Sequence, residues 1–272
     1  MSEFISQRAT ICVVNYKTLD FTRLCLRSIR KFTNYPYEVI VVDNDSKDES
    51  LEYLKSLSWI RLIQRQGEDG SLKGSYAHAS ALDIGLRNCN TEFFVSLHSD
   101  TFVLRDDWLT TLIDFFNSDK QTACVGSGKI ELTPVLQTFL KKVTDFKTMK
   151  RKLLKEPDPL GVHRYYNRSI CAVYRTDILK KENLTFGMGD KEGLTVGKKL
   201  YFELVDRGFK TIELPERKMG EFVIHLAHAT QVINPKDFKI RKRTVNKCNS
   251  LIKKVMANDL IKQILEDDSL DK

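Results

Sequence analysis

Apolar and polar positions alternate between two periods over the first hundred residues. "ATICVVNY" (9–16) and "YEVIVVDN" (37–44) are short β-branched runs ending on Asn or Asp. That pattern suits strands buried on both faces of a parallel sheet. Between them, "TLDFTRLCLRSIRKFT" sets Phe21, Leu24, Cys25, Ile29 and Phe32 near helical spacing with basic residues interleaved. "SKDESLEYLKSL" opens on Ser and acids before an apolar stripe, a helix-start signature. "IRLIQR" follows as a strand, "GSLKGSYAHASALDIGLRNC" as a loop entering a helix, and "TEFFVSLHSD" as another strand. The β-α-β-α-β-α-β order predicts a doubly wound, mostly parallel sheet with right-handed crossovers. Ligands of such sheets gather beyond the carboxyl ends of the strands. "VVNY", "VVDND" and "LHSD" are such ends, so their polar residues should share one crevice.

The second half is less regular. "DDWLTTLIDFFNS" reads as a helix and "ACVGSGKIEL" as a strand, followed by a Lys-rich stretch that the prolines of "EPDP" close. "SICAVYRTDIL" is a strand running into a helix, and "LTVGKKLYFELVDRGFKTIELP" a helix ended by Gly208 and then a strand. "GEFVIHLAHAT" reads as a last strand carrying His225 and His228. There is no internal repeat and no linker that would separate autonomous units, so one compact domain is expected.

At 272 residues, 42% hydrophobic and 29% charged, the chain has the balance of a globular protein with a substantial core. It lacks an apolar run near the roughly 20 residues needed to span a bilayer. "MSEFISQRATICVVNY" has no basic lead, apolar stretch or cleavage site, and the six cysteines are scattered without a CxxC pair. These features predict a cytoplasmic protein with reduced thiols. The formal charge of +8 is concentrated in 141–155 and 236–254. Such patches could meet an anionic membrane or a phosphorylated ligand, or form a solvated face. Nucleic acid is disfavoured, because aromatic-basic interleaving and zinc-ligand spacing are both missing.

His98 and Asp100 end the strand "TEFFVSLHSD". Residues two apart on an extended segment share a face, so the pair can chelate one cation. An imidazole with a carboxylate suits a borderline ion such as Mn2+, whereas Mg2+ prefers more oxygen ligands. The competing reading is a core histidine beside a helix-capping aspartate.

With these residues in place, "ICVVNYKTLDFTRLCLRSIRKFTNYPYEVIVVDNDSKDES" resembles the opening of family-2 glycosyltransferases of the GT-A fold. "GSYAHASALDIGLRNCNTEFFVSLHSDT" is similar to the block leading to their metal-binding DxD element, with His98 in place of the first aspartate. The resemblance spans roughly residues 9 to 230. It implies a Rossmann-like nucleotide-binding half (1–105), an acceptor-side catalytic half (106–235) and a basic helical C-terminal extension (236–272).

By resemblance, Asn15 and Tyr16 line the base pocket and Asp43 accepts a hydrogen bond from the base. Asp45 and Ser46 are weaker candidates, equally explained as loop and helix-cap residues. The resemblance also implies a cation, Mn2+ or Mg2+, on His98 and Asp100 with a late histidine, His225 or His228. Three residues apart on a regular strand, those two would face opposite sides, so one of them is expected to bind. Inverting members of the family use an Asp of an ED pair as base. No such pair stands at the usual distance before Gly208, and the acids available are Asp190 and Glu192 in a glycine-rich stretch. Lys73, Gly74 and His78, at the start of the third helix, could meet a diphosphate.

The implied activity is metal-dependent, inverting transfer of a sugar from an NDP-sugar, UDP- or dTDP-linked, to a hydroxyl of a glycan or lipid-linked acceptor in polysaccharide biosynthesis. A lipid-linked acceptor would fit peripheral contact with the inner face of a membrane through 134–155 or 236–254. A sugar-phosphate nucleotidyltransferase and a non-catalytic nucleotide-sugar-binding module are the alternatives.

Overall fold

The computed structural model describes residues 4–65, 74–128 and 166–272. The first alternating run forms β1 (Ile5–Asn15), α1 (Leu19–Phe32), β2 (Tyr37–Asp43), α2 (Glu49–Ser56), β3 (Ile60–Gln64), α3 (Ser75–Asn88) and β4 (Thr91–His98). Each element agrees with the period read from the sequence. β1 and β2 are buried on both faces where their apolar runs are continuous. α1 buries Phe21, Leu24, Cys25 and Ile29, and its basic residues fall between them. Asp48 caps α2 by accepting a bond from the Ser50 amide at 3.1 Å. Gly85 lets α3 lie close on β1, because a Cβ there would sit 2.3 Å from Cys12 Sγ.

The second half continues as β5 (Thr101–Val103), α4 (Trp108–Asn117), β6 (Thr122–Ser127), β7 (Cys171–Arg175) and α5 (Thr176–Lys181). After these come α6 (Lys198–Asp206), β8 (Lys210–Leu214), α7 (Glu216–Phe222), β9 (Val223–His225) and α8 (Ala229–Ile233). Gly208, at φ 81°, terminates α6 and turns the chain into β8. The chain ends in α9 (Lys242–Met256) and α10 (Asp259–Glu266), with a 3-10 turn at Asp268–Asp271.

Seven strands form one mixed sheet in the order β3-β2-β1-β4-β7-β6-β8, and β5 pairs with β9 in a separate two-stranded ribbon. The β3-β2-β1-β4 half is parallel, whereas β7 runs antiparallel to both β4 and β6. Helices cover both faces, giving one buried cluster around α1, α4 and the C-terminal helices and another around α3, α5 and α6. No helix among the described residues is long and apolar enough to cross a membrane. The Lys-rich segment 134–155, considered for membrane contact, lies outside the described residues.

One expectation is revised. "GEFVIHLAHAT" is not one continuous strand: its start belongs to α7, the strand is only Val223–His225, and His228 sits in a left-handed turn at φ 69° before α8. The physical reason is its partner, since β5 offers only three residues to pair with. Segment 236–272, which the resemblance implied to be a basic helical extension, carries α9, α10 and the closing 3-10 turn and shares the main core. Cys248, Val255, Ile261 and Ile264 are buried in it beside α1. Arg27 of α1, 2% exposed at its side chain, donates to Asp271, Asp268 and the Leu265 carbonyl, and Tyr53 also donates to Asp271, at 2.8 Å.

Replacing Asp268 and Asp271 together by Asn would leave the Arg27 guanidinium without its counter-charges while α10 still covers it. The loss expected is about 3–5 kcal/mol, the usual cost of leaving one member of a buried pair unpaired. Urea unfolding of the double variant measures it, and Arg27→Met in that background should recover part.

Candidate functional site

At the carboxyl ends of β1 and β2 the parallel register sets Asn15 beside Asp43. Both are buried, and they bond to each other. The Asn15 amide donates to Asp43 Oδ1 at 2.7 Å and lies within bonding distance of Ser46 Oγ and Ser50 Oγ. Its carbonyl oxygen accepts from Thr22 and Thr18. Asp43 also accepts from the Ser46 amide at 3.0 Å. These two residues, expected to face a nucleotide base, instead form a knot behind the wall. Their side-by-side register is the reason. The turns they hold supply Tyr16, Lys17, Asn44, Asp45, Ser46 and Lys47 to a cleft of about 1030 Å³.

Lys17, Asp45 and Lys47 have positive φ, as does His228 across the cleft; the only other such non-glycine residues among those described are Gln7 and Asn183. Backbone strain of this kind concentrates where the surrounding structure fixes a ligand site. The cleft's far rim comes from the C-terminal segment. Asp237 accepts from Tyr16 Oη and pairs with Lys17, both at 2.9 Å, and the Phe238 ring stands edge-on to Tyr16 with centroids 6.1 Å apart.

The floor carries the most distinctive chemistry. β4 ends at His98, and the Ser99–Asp100 turn leads directly into β5. The register Thr101↔His225 then delivers β9's histidine to the same place. His98 Nδ1 is 3.7 Å and His225 Nε2 3.4 Å from Asp100 Oδ1. One donor atom from each of His98, Asp100 and His225 lies within 4.8 Å of the others. The His78 ring from α3 stands edge-on to His98, with centroids 4.5 Å apart. His78 Nε2, His98 Nε2, Asp100 Oδ1 and His225 Nδ1 are buried without a hydrogen-bond partner. Such orphans are costly unless a ligand or ion satisfies them.

The protonation states suit a cation. Burial holds the His78 imidazole down to about 4. Burial, and after it His78, keeps His98 well below the ordinary histidine range. For Asp100 burial opposes ionisation, but His225, His98 and a backbone hydrogen bond together outweigh it and hold the carboxyl below its usual value. A neutral His98 imidazole and an ionised Asp100 carboxylate are ligating forms. The donor set therefore fits a divalent cation.

The remaining sequence candidates separate. His228 lines the cleft but stays outside the cluster, with Nδ1 3.1 Å from Gln231 Oε1. Of the two late histidines, His225 is the one placed with His98 and Asp100. Gly74 lines the cleft at φ 63°, ahead of α3, and His78 follows one turn later; Lys73 lies outside the described residues. Asp190 and Glu192 are exposed on a 3-10 turn and are not part of the cleft wall. Asp83 draws the start of that loop onto α3 by accepting from the Phe186 and Gly187 amides, and Glu192 pairs with Lys199. Thr195 and Val196 of the same loop do reach the wall.

Sequence reading missed Asn44, Arg65 and Arg168. Arg65 follows β3, so the strand-end rule could have found it; its guanidinium bonds to Asn44 Oδ1, the Ala77 carbonyl and Ser80. Arg168 precedes an antiparallel strand, where that rule gives no signal.

The profile of the family described as "Glycosyl transferase family 2" matches residues 10–175. The chain belongs to that family and is a glycosyltransferase of the GT-A fold. Among solved structures it is similar to S. aureus TarS 1–349 (15% identity, 95% of this chain and 69% of that one, TM-score 0.54). The same TarS fragment in complex with UDP-GlcNAc matches at 15% identity over 95% and 70% of the two chains, TM-score 0.52. The mannosyltransferase PcManGT from Pyrobaculum calidifontis, in complex with GDP-Man and Mn2+, matches at 16% identity over 94% and 72%, TM-score 0.51. Comparison with the curated proteins finds no match.

If His98, Asp100 and His225 form the cation site, His98→Ala, Asp100→Asn and His225→Ala should each weaken Mn2+ binding by at least about 10-fold, the lower end of what outer-shell changes alone cost. His228→Ala should leave it unchanged. Titration calorimetry with Mn2+ separates these outcomes, and thermal melts without metal check that each variant is folded.

Proposed function

We propose that this chain transfers a glycosyl group, with inversion, from a nucleoside-diphosphate sugar to an acceptor hydroxyl. The observation that carries the reading is the convergence of His98, Asp100 and His225 on the floor of a cleft whose wall is built from the ends of β1 and β2 in a family-2 chain. The cleft volume matches that of sites that enclose most of a small-molecule ligand. Tyr16 and Phe238, with Asn44 and Arg65 deeper in the wall, frame the proposed place of the base. His98, Asp100 and His225 would hold the cation near the diphosphate. A divalent ion there supplies Lewis-acid neutralisation of the leaving group.

The reaction breaks the C1–O bond to the β-phosphate, whose oxygen keeps the electron pair. A new bond forms from C1 to the acceptor oxygen, and the acceptor proton passes to a carboxylate. We assign that carboxylate to Asp190 rather than Glu192. Asp190 lies on the loop that supplies Thr195 and Val196 to the wall, whereas Glu192 is tied to Lys199. Asp45 and Asp237, which also line the cleft, are each paired with a lysine.

A lipid-linked acceptor is supported by the basic surface beside the mouth. Lys236 stands at the rim, and α9 exposes Lys242, Arg243, Lys253 and Lys254 while its apolar side packs into the core. That arrangement favours electrostatic contact with an anionic membrane over insertion into it.

Incubation with UDP-, dTDP- and GDP-sugars in Mn2+ should release free nucleoside diphosphate from at least one donor, and EDTA or Asp100→Ala should abolish the release. Silence across the panel with nucleotide still bound would leave only a binding module, and pyrophosphate-dependent NTP formation would indicate a nucleotidyltransferase. Asp190→Asn should slow transfer by about 100-fold or more, the lower range for a lost general base, without weakening donor binding. An unchanged transfer rate removes Asp190 from the chemistry.

A further inference from the structure

Arg168 sits just ahead of β7, and its position is fixed by backbone bonds. Its amide donates to the Ser127 carbonyl at 3.0 Å, and two residues later the Ile170 carbonyl accepts from the His98 amide at 3.0 Å. Arg168 is thereby stitched beside the strand end that carries the cation site, and it lines the same cleft as His98, Asp100 and His225. Its guanidinium lies over the Tyr166 ring at 5.5 Å, and Tyr166 is buried with its hydroxyl bonded to Thr195. The side chain is held on a rigid platform.

Among the described residues this guanidinium has no counter-charge. The other cations of the cleft wall are satisfied: Lys17 pairs with Asp237, Lys47 with Asp45, and Arg65 bonds to Asn44, Ala77 and Ser80. Lys236 is exposed at the rim. Arg168 has no ion pair among the described residues, and its Nε is buried with no partner. A half-buried, unpaired guanidinium is unfavourable, and one placed beside a divalent-cation site adds like-charge repulsion. Both costs vanish when a multiply charged anion lies between the two positive centres. Arginine is suited to such an anion, because its planar fork can give two parallel bonds to phosphoryl oxygens.

We propose that Arg168 binds the diphosphate of the donor, sharing that anion with the cation held by His98, Asp100 and His225. The inference rests on the glycosyl-transfer reading and adds to it a second positive group for the leaving diphosphate, supplied by the chain itself. As C1 moves to the acceptor oxygen and the β-phosphate oxygen retains the electron pair of the broken bond, Arg168 stabilises the charge that accumulates there.

Titration calorimetry tests this with UDP, dTDP and GDP in saturating Mn2+, with uridine, thymidine and guanosine, and with Mn2+ alone, on the full chain. For the diphosphate that the wild type binds most tightly, Arg168→Gln should weaken binding by about 10-fold or more, the size of a lost hydrogen bond to a charged group. Arg168→Lys, which keeps the charge and loses the fork, should fall in between. Affinity for the matching nucleoside should not change, and affinity for Mn2+ alone should rise because a neighbouring positive charge has gone. A merely structural role would not produce these opposite signs. Unchanged diphosphate affinity in Arg168→Gln overturns the proposal alone, as does an equal loss for the nucleoside. A wild-type chain that binds no nucleoside diphosphate overturns the glycosyl-transfer reading with it.

Discussion

The site depends on a short turn, His98-Ser99-Asp100, being fixed from both sides at the end of a central strand. On one side the His98 amide bonds to the Ile170 carbonyl, and on the other the Leu226 amide bonds to the Asp100 carbonyl. The β5–β9 ribbon continues the second connection and places His225 opposite Thr101. Three segments far apart in sequence are thus held around one small volume by main-chain bonds rather than by their own side chains. Because the backbone carries the positioning, His98 Nε2, Asp100 Oδ1 and His225 Nδ1 can stay buried without a hydrogen-bond partner. Polar groups in that state are expected at functional sites, where stability is given up locally.

The neighbouring strand ends show the opposite arrangement. Asn15 and Asp43 use their polar atoms on each other and on Ser46, Ser50, Thr18 and Thr22. They are buried polar residues that form a closed network, and such a network gives rigidity when every member is satisfied. Its function is indirect. It holds two strained turns whose next residues, Tyr16, Lys17, Asn44 and Asp45, face the cleft. Residue type alone cannot separate an aspartate that meets a ligand from one that supports the residue that does.

The C-terminal helices tie the two roles together. Arg27 in α1 is buried only because residues 265–271 supply its carbonyl and carboxylate partners. The same chain, on its way there from β9, passes over the cleft and contributes Asp237 and Phe238 to the rim. Core closure and site closure therefore share one stretch of polypeptide. The basic surface of α9 follows from this geometry, since its apolar positions are used by the core and its lysines face outward.

What the sequence determined by itself was the local periodicity and its consequence. Strands with continuous β-branched runs and helices with spaced apolar residues can bury those residues only as a parallel sheet covered by helices. That reasoning reached the β1-to-β4 half, the strand-end positions of Asn15, Asp43 and His98, and the pairing of His98 with Asp100. Tertiary structure decided everything that required knowing which segment lies beside which. It placed His225, and not His228, with His98 and Asp100, because a three-residue ribbon ends before the second histidine. It turned Asn15 and Asp43 inward, and it left Asp190 and Glu192 on an exposed turn through the hold of Asp83 on residues 186–187. Arg168 was invisible for the same reason. Its place beside His98 and Asp100 comes from an antiparallel pairing across about 70 residues of sequence, and no local pattern encodes a long-range contact of that kind.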